Sequence, residues 1–193
     1  CCKVDAAKRS EQIDLTRRFI DLAADVGCRR LRIFGGKPDA DIPMADAIRY
    51  AGEALMQMRE AAEQTGVAVC METHDHFMRA DDCAAAVRMA ASAAVRVNWD
   101  IMHPYTKGMT IEEAFAQVKD LVGHCHIHDG TYDEKRNPTL ALMGKGEIPY
   151  RTAVRLLNSI DYDGYLSGEY IKAWPPEVVL PHDIRVLREY LNG

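Results

Sequence analysis

The 193-residue chain has no apolar run long enough to cross a bilayer; its most Ala-rich stretch, Ala84 to Ala94, is broken by Arg88. It has no Lys/Arg block, and a net charge of -5 argues against a nucleic-acid backbone as its main partner. Its six cysteines, at positions 1, 2, 28, 70, 83 and 125, lack zinc-ribbon CxxC spacing. Two of them fall inside apparent core strands, which favours free buried thiols in a reducing cytoplasm over disulfides. Nucleotide-phosphate fingerprints are missing too, because Gly35-Gly36-Lys37 and Gly144-Lys145-Gly146 match neither GxGxxG nor P-loop spacing. No linker or low-complexity tract stands out, and Cys1-Cys2-Lys3-Val4-Asp5, with neither an initiator Met nor an apolar core, is not expected to be a signal peptide.

What remains is ordinary globular composition, 48% hydrophobic and 27% charged, and enough chain for one domain over 1–193. Helices and strands alternate throughout. An amphipathic helix ends at Gly27, and Arg30–Phe34 reads as a strand. A helix entered at Pro43 stops before Gly66, and a strand then ends at Glu72. Asp81 or Asp82 is the expected N-cap of a helix over Ala84–Ala94, followed by a strand ending at Asp100. Thr110 and Glu113 form a capping box for a helix through Leu121. A His-rich strand follows, then a long loop from Gly130 to Glu147 and a helix from about Pro149 to Ile160. A strand ending at Glu169 and a last helix to Leu191 complete the chain. Met56, Met58 and Met89 read as core filler, and Arg29, Arg30 and Arg32 as brackets at the bottom of the sheet. Five strands beginning near 31, 67, 95, 122 and 165, each followed by a helix, demand a parallel sheet with right-handed crossovers.

The densest chemistry lies in Gly123-His124-Cys125-His126-Ile127-His128-Asp129, where alternation places three imidazoles on one strand face. Such a face is costly to bury without a metal, a substrate or hydrogen-bond partners. Functional groups of a parallel sheet gather at the carboxyl ends of its strands, where Glu72, Asp100, His126 and Glu169 fall. This mostly oxygen-donor set suits one divalent ion: Mn, Mg, Co or Zn. His124, deeper in its strand, reads as a packed support. His103, His74, His128 and Lys172 are the candidates for contact with substrate. An open doubly wound sheet and a piece of a (β/α)8 barrel both fit, although five strands are too few to close a barrel.

Four segments, Val97–Pro104, Gly123–Asp129, Gly144–Tyr150 and Tyr162–Tyr170, together with Arg32–Gly36 and Glu72-Thr73-His74, carry a resemblance over nearly the whole chain. They resemble the xylose-isomerase-like TIM barrel superfamily, specifically its sugar phosphate isomerase/epimerase family. The resemblance implies an incomplete (β/α)8 barrel of about five C-terminal βα units, strands four to eight. It implies metal ligands Glu72, Asp100, His126 and Glu169, with His126 as the second His of a His-x-His strand, and a substrate contact at His103. In ketose 3-epimerases of this superfamily the two Glu ligands act as acid and base on a metal-stabilised enediolate, which makes Glu72 and Glu169 the catalytic candidates. This chain departs from them in having Tyr132 where they carry an Arg and Met78 where they carry a Glu. Arg136, Lys145 and Lys172 are possible replacements.

The expected function is therefore metal-dependent isomerisation or epimerisation of a sugar, polyol or small hydroxy-ketone, without nucleic-acid or membrane partners. A lyase of the inosose or dehydroshikimate dehydratase type is the alternative. An endonuclease-IV-like repair enzyme needs more His and Asp ligands and a basic groove. A truncated, non-catalytic module is the remaining reading. The missing initiator Met favours a portion of a longer protein, with a second copy or another partner covering the open sheet edge.

Overall fold

The computed structural model describes residues 2–39, 42–171 and 173–192. Helix α1 (Ala6–Asp25) starts where the Asp5 carboxylate accepts the N–H groups of Ala7 and Lys8. Strand β1 (Arg30–Phe34) and helix α2 (Met44–Thr65) follow, and α2 stops on Gly66 in the left-handed conformation. Next come β2 (Ala68–Glu72), α3 (Ala80–Met89), β3 (Val95–Asp100) and α4 (Met102–Thr106). Helix α5 (Ile111–Val118) carries the capping box of Thr110 and Glu113. Then come β4 (Val122–Ile127), β5 (Asp129–Tyr132), β6 (Pro138–Ala141), α6 (Tyr150–Asn158), β7 (Leu166–Gly168) and α7 (Pro176–Leu191).

Five strands form one parallel sheet in the order β1-β2-β3-β4-β7, a half-barrel of the incomplete (β/α)8 type. Alternation sorts the strands into two faces. Val69, Met71, Val97, Trp99, Cys125 and Ile127 are buried, and Trp99 meets Phe115 of α5 on the helix side. The opposite, concave face carries Arg30 and Arg32 on β1, Cys70 and Glu72 on β2, Arg96, Asn98 and Asp100 on β3, and His124 and His126 on β4, with His128 just beyond its end. A register shift aligns Val97 with Val122 but Asn98 with His124, bulging the strand at Gly123. A Cβ on Gly123 would lie 2.9 Å from Arg96, so a side chain there has no room.

Several local expectations are corrected. The loop after Gly130 contains the antiparallel hairpin β5–β6. It is organised by the buried Asp129 carboxylate, which accepts the N–H groups of Gly130, Gly144, Gly146 and Ile148 at 2.8, 2.8, 3.0 and 3.3 Å. Helix α3 begins at Ala80 after Arg79, so Asp81 and Asp82 sit in its first turn, where they complement the helix dipole, and it ends at Met89. Pro104 lies within the short helix α4. Met58 is core, whereas Met56 is 42% exposed. Among the described residues no helix is long and apolar enough to cross a membrane.

Candidate metal centre

The strand ends converge as the alternation implies. Glu72 ends β2 and Asp100 ends β3, both fully buried. His126 lies on β4, and Glu169 follows β7, tied to that strand's neighbour by its N–H to the Ile127 carbonyl at 3.2 Å. One ligand atom from each of Glu72, Asp100, His126 and Glu169 lies within 4.8 Å of all the others. An ion about 2.1 Å from each donor needs donors within about 4.2 Å of one another, so the cluster needs only a small contraction to share one ion. The donor set therefore fits a divalent metal.

His126 Nδ1 lies 2.8 Å from Glu72 Oε1 and 3.2 Å from Glu169 Oε2. Burial alone would lower the His126 pKa, but the hydrogen bond and charge of Glu72, with Glu169 and Asp100, raise it. On the other side of the same two carboxylates sits Arg32. Its Nη1 lies 2.9 Å from Glu72 Oε2 and 3.4 Å from Glu169 Oε1. The expectation that Arg32 brackets the bottom of the sheet is thus corrected: its long side chain climbs one layer to the site. Alternation within Arg30–Phe34 could have placed it on the concave face, but its reach depends on the β1–β2 register, in which Phe34 aligns with Glu72.

Asp100 is locked from three directions. Its Oδ1 accepts the N–H groups of Met102 and His103, and its Oδ2 lies 2.7 Å from His128 Nε2. Burial would raise the Asp100 carboxyl, but the hydrogen bond and charge of His128, together with His103, hold it below the usual carboxylate range. The same contact outweighs burial at His128 and raises its pKa. Thr73, unmarked in the sequence, ties the strands together by accepting the Asp100 N–H and donating to the Asp100 carbonyl.

His103 Nδ1 donates to the Thr73 carbonyl at 2.8 Å, which leaves Nε2 as its outward nitrogen. Burial lowers the His103 pKa. His74, His103 and His128 stack edge-on in a row, with ring centroids 4.7 and 5.4 Å apart. Asp100, His103 and His128 form a further potential ligand group that shares the Asp100 carboxylate.

Below this layer, His124 Nε2 meets Ser167 Oγ at 2.9 Å, in keeping with a supporting role. Among the described residues, the amide atoms of Asn98 and Nδ1 of His124 are buried without hydrogen-bond partners. Asn98 is another residue the sequence did not mark. A cavity of about 330 Å³ opens beside the cluster, lined by Arg32, His124, His126 and Glu169 among others. Lys172 lies outside the described residues. Arg136 sits over the Tyr105 and Tyr132 rings and donates to the Tyr105 and Thr106 carbonyls, so these contacts already engage it.

The sequence matches the family model described as xylose isomerase-like TIM barrel over residues 1–190. It is 23% identical over 178 residues to fructoselysine 3-epimerase of Shigella flexneri, covering 90% of this chain and 63% of that protein. It is 27% identical to 2-oxo-tetronate isomerase of Cupriavidus necator, covering 79% of this chain and 59% of that protein. The chain thus spans somewhat under two thirds of the length of these curated relatives. Among solved structures, the IolI protein with a bound zinc atom superposes with a TM-score of 0.84 at 16% identity, covering 97% of this chain and 72% of that one.

Proposed function

The chain belongs to the xylose isomerase-like TIM barrel family, and from that premise we propose that it is a divalent-metal-dependent isomerase or epimerase acting on a sugar or small hydroxy-ketone. The observation that carries this reading is the convergence of Glu72, Asp100, His126 and Glu169, each from a different strand, within one 4.8 Å cluster beside a cavity. A divalent ion held there would polarise the carbonyl and hydroxyl oxygens of a hydroxy-ketone and acidify the C–H between them.

The protein's own groups do the rest. On this reading Glu169, one quarter exposed and lining the cavity, takes the proton from the bound hydroxy-ketone, and Glu72, which also contacts His126, is its partner. His103, with Nδ1 fixed by Thr73, offers Nε2 as a substrate hydrogen-bonding group, and His74 stacks behind it. His128 keeps Asp100 ionised and oriented. The two curated relatives named above, an epimerase and an isomerase, support the reaction class.

The test is proton exchange. Wild-type protein and Glu169→Gln are loaded with Mn²⁺ in D₂O and given a panel of ketoses and 2-keto sugar acids, followed by NMR. The expected result is solvent deuterium at the carbon next to the carbonyl, with recovery of an isomer or epimer, lost in Glu169→Gln. A conjugated, ultraviolet-absorbing product would replace this reading with a dehydratase. No exchange with any substrate by metal-loaded protein would sink it in favour of a non-catalytic role.

A further inference from the structure

Each of the two glutamates presents its oxygens to opposite sides. Glu72 Oε1 and Glu169 Oε2 face His126 Nδ1, whereas Glu72 Oε2 and Glu169 Oε1 meet on the single nitrogen Nη1 of Arg32. The Arg32 guanidinium is itself held in place, lying over the Phe34 ring 4.4 Å from its centroid. We propose that Arg32 is the specificity-determining residue for the ion: by occupying the outer oxygen of each glutamate, it keeps both as one-oxygen ligands and selects a small first-row-type cation over a calcium-type one. This rests on the metal-dependent reading above.

The argument is one of ligand counting. With Arg32 in place, Glu72, Asp100, His126 and Glu169 supply one donor atom each, and one of those four is an imidazole nitrogen, which suits Mn, Co or Zn. Calcium takes 6–8 oxygens at longer distances and is served by carboxylates that bind through both oxygens. Glu72 cannot offer both oxygens to an ion without giving up Arg32. It is fully buried, so solvent is poorly placed to replace the guanidinium on the oxygen left behind. The guanidinium also repels any cation at the centre. That repulsion acts alike on two ions of equal charge, so it cancels in the ratio of their affinities and leaves the ligand count to decide.

The test is calorimetric titration of Mn²⁺ and, separately, Ca²⁺ into metal-free wild type, Arg32→Met, Arg32→Gln and Arg32→Lys, with folding checked by circular dichroism. The wild type is expected to prefer Mn²⁺. The Mn²⁺-to-Ca²⁺ affinity ratio is expected to fall by about tenfold or more in Arg32→Met and Arg32→Gln, as freed glutamates become two-oxygen ligands for calcium. Arg32→Lys, which keeps a donor on the same oxygens, should hold part of the preference. Should Arg32→Met fail to fold, Arg32→Gln decides. A wild type that binds Mn²⁺ while Arg32→Gln shows the same ratio overturns the role of Arg32 alone. A wild type that binds neither ion overturns the metal reading, and this role with it.

Discussion

The two ends of the same concave sheet face carry opposite charge and settle it differently. At the amino end of the strands, Arg30 Nε donates to the Gly123 carbonyl at 2.7 Å, and Arg96 donates to the Val122 carbonyl at 2.9 and 3.2 Å. These cations are spent on backbone oxygens exposed where the sheet bulges at Gly123. At the carboxyl end, Glu72, Asp100 and Glu169 converge within 4.8 Å; among the described residues Arg32 meets the two glutamates, His126 lies between them and His128 pairs with Asp100. Carboxylates this close are stabilised by positive partners, and a divalent cation would serve all three at once. The amino end is therefore satisfied by backbone oxygens, whereas on the reading proposed above the carboxyl end would be completed by an added cation. The ligand groups differ by position, and the sheet beneath them is shared.

The contrast is broken most directly at the glutamates. Glu72→Gln and Glu169→Gln should each weaken Mn²⁺ binding by more than about 100-fold, since even partners of the ligands are typically worth 10–100-fold. Calorimetry checks this, and a fall in thermal stability with unchanged metal affinity would erase the difference between the two ends.

Asp129→Ala should leave four backbone N–H groups without their acceptor, cost about 2–4 kcal/mol of stability, and make the segment from β5 to Ile148 labile in hydrogen exchange. Denaturant melts and exchange mass spectrometry read both effects. Protection unchanged in that segment would mean that the hairpin is held from elsewhere.

The amino end gives the converse. Arg96→Ala should cost about 1–3 kcal/mol in urea melts by removing a charged donor to the Val122 carbonyl, while leaving Mn²⁺ affinity within error of wild type. A metal defect in Arg96→Ala would show the two ends to be coupled.

The smallest effect concerns thiols on the shared sheet and its helices. Burial pushes the Cys70 thiol up to about 11 and the Cys125 thiol up to about 12. At pH 8 both lie below their pKa and stay protonated, so peptide mapping after brief iodoacetamide treatment should find label at the exposed Cys28 and none at Cys70, Cys83 or Cys125. Rapid labelling of Cys125 would mean that the His-rich strand opens.

Strand ends were the most legible part of the molecule, because period-two alternation fixes which side chains share a face and a parallel sheet fixes which end is functional. The strand expected over Arg30–Phe34 has those bounds, and Glu72, Asp100, His126 and Glu169 lie together at the carboxyl ends of their strands. What stayed hidden depends on contacts distant in sequence. Arg32 reaches its partners 40 and 137 positions away, which no local pattern records. The β5–β6 hairpin was concealed because Pro138 and short polar strands resemble loop, and its anchor is the Asp129 carboxylate gripping glycines 15 and 17 residues on. Helix α3 begins earlier than its sequence suggests because Asp81 and Asp82 suit an N-cap and a first turn equally, and the backbone takes the second. Thr73 acts through a hydrogen-bonding position that its residue type does not announce, and Asn98 lies buried on the concave face with its side-chain amide unpartnered.

Anomalous diffraction from crystals grown with MnCl₂, paired with elemental analysis of the same protein, tests the metal-centred reading most directly. One manganese ion per chain, with its anomalous peak among Glu72, Asp100, His126 and Glu169 and lost in Glu169→Gln, is the predicted result. A saturating metal concentration that leaves that cluster without a peak, or a peak that persists in Glu72→Gln/Glu169→Gln, would contradict it.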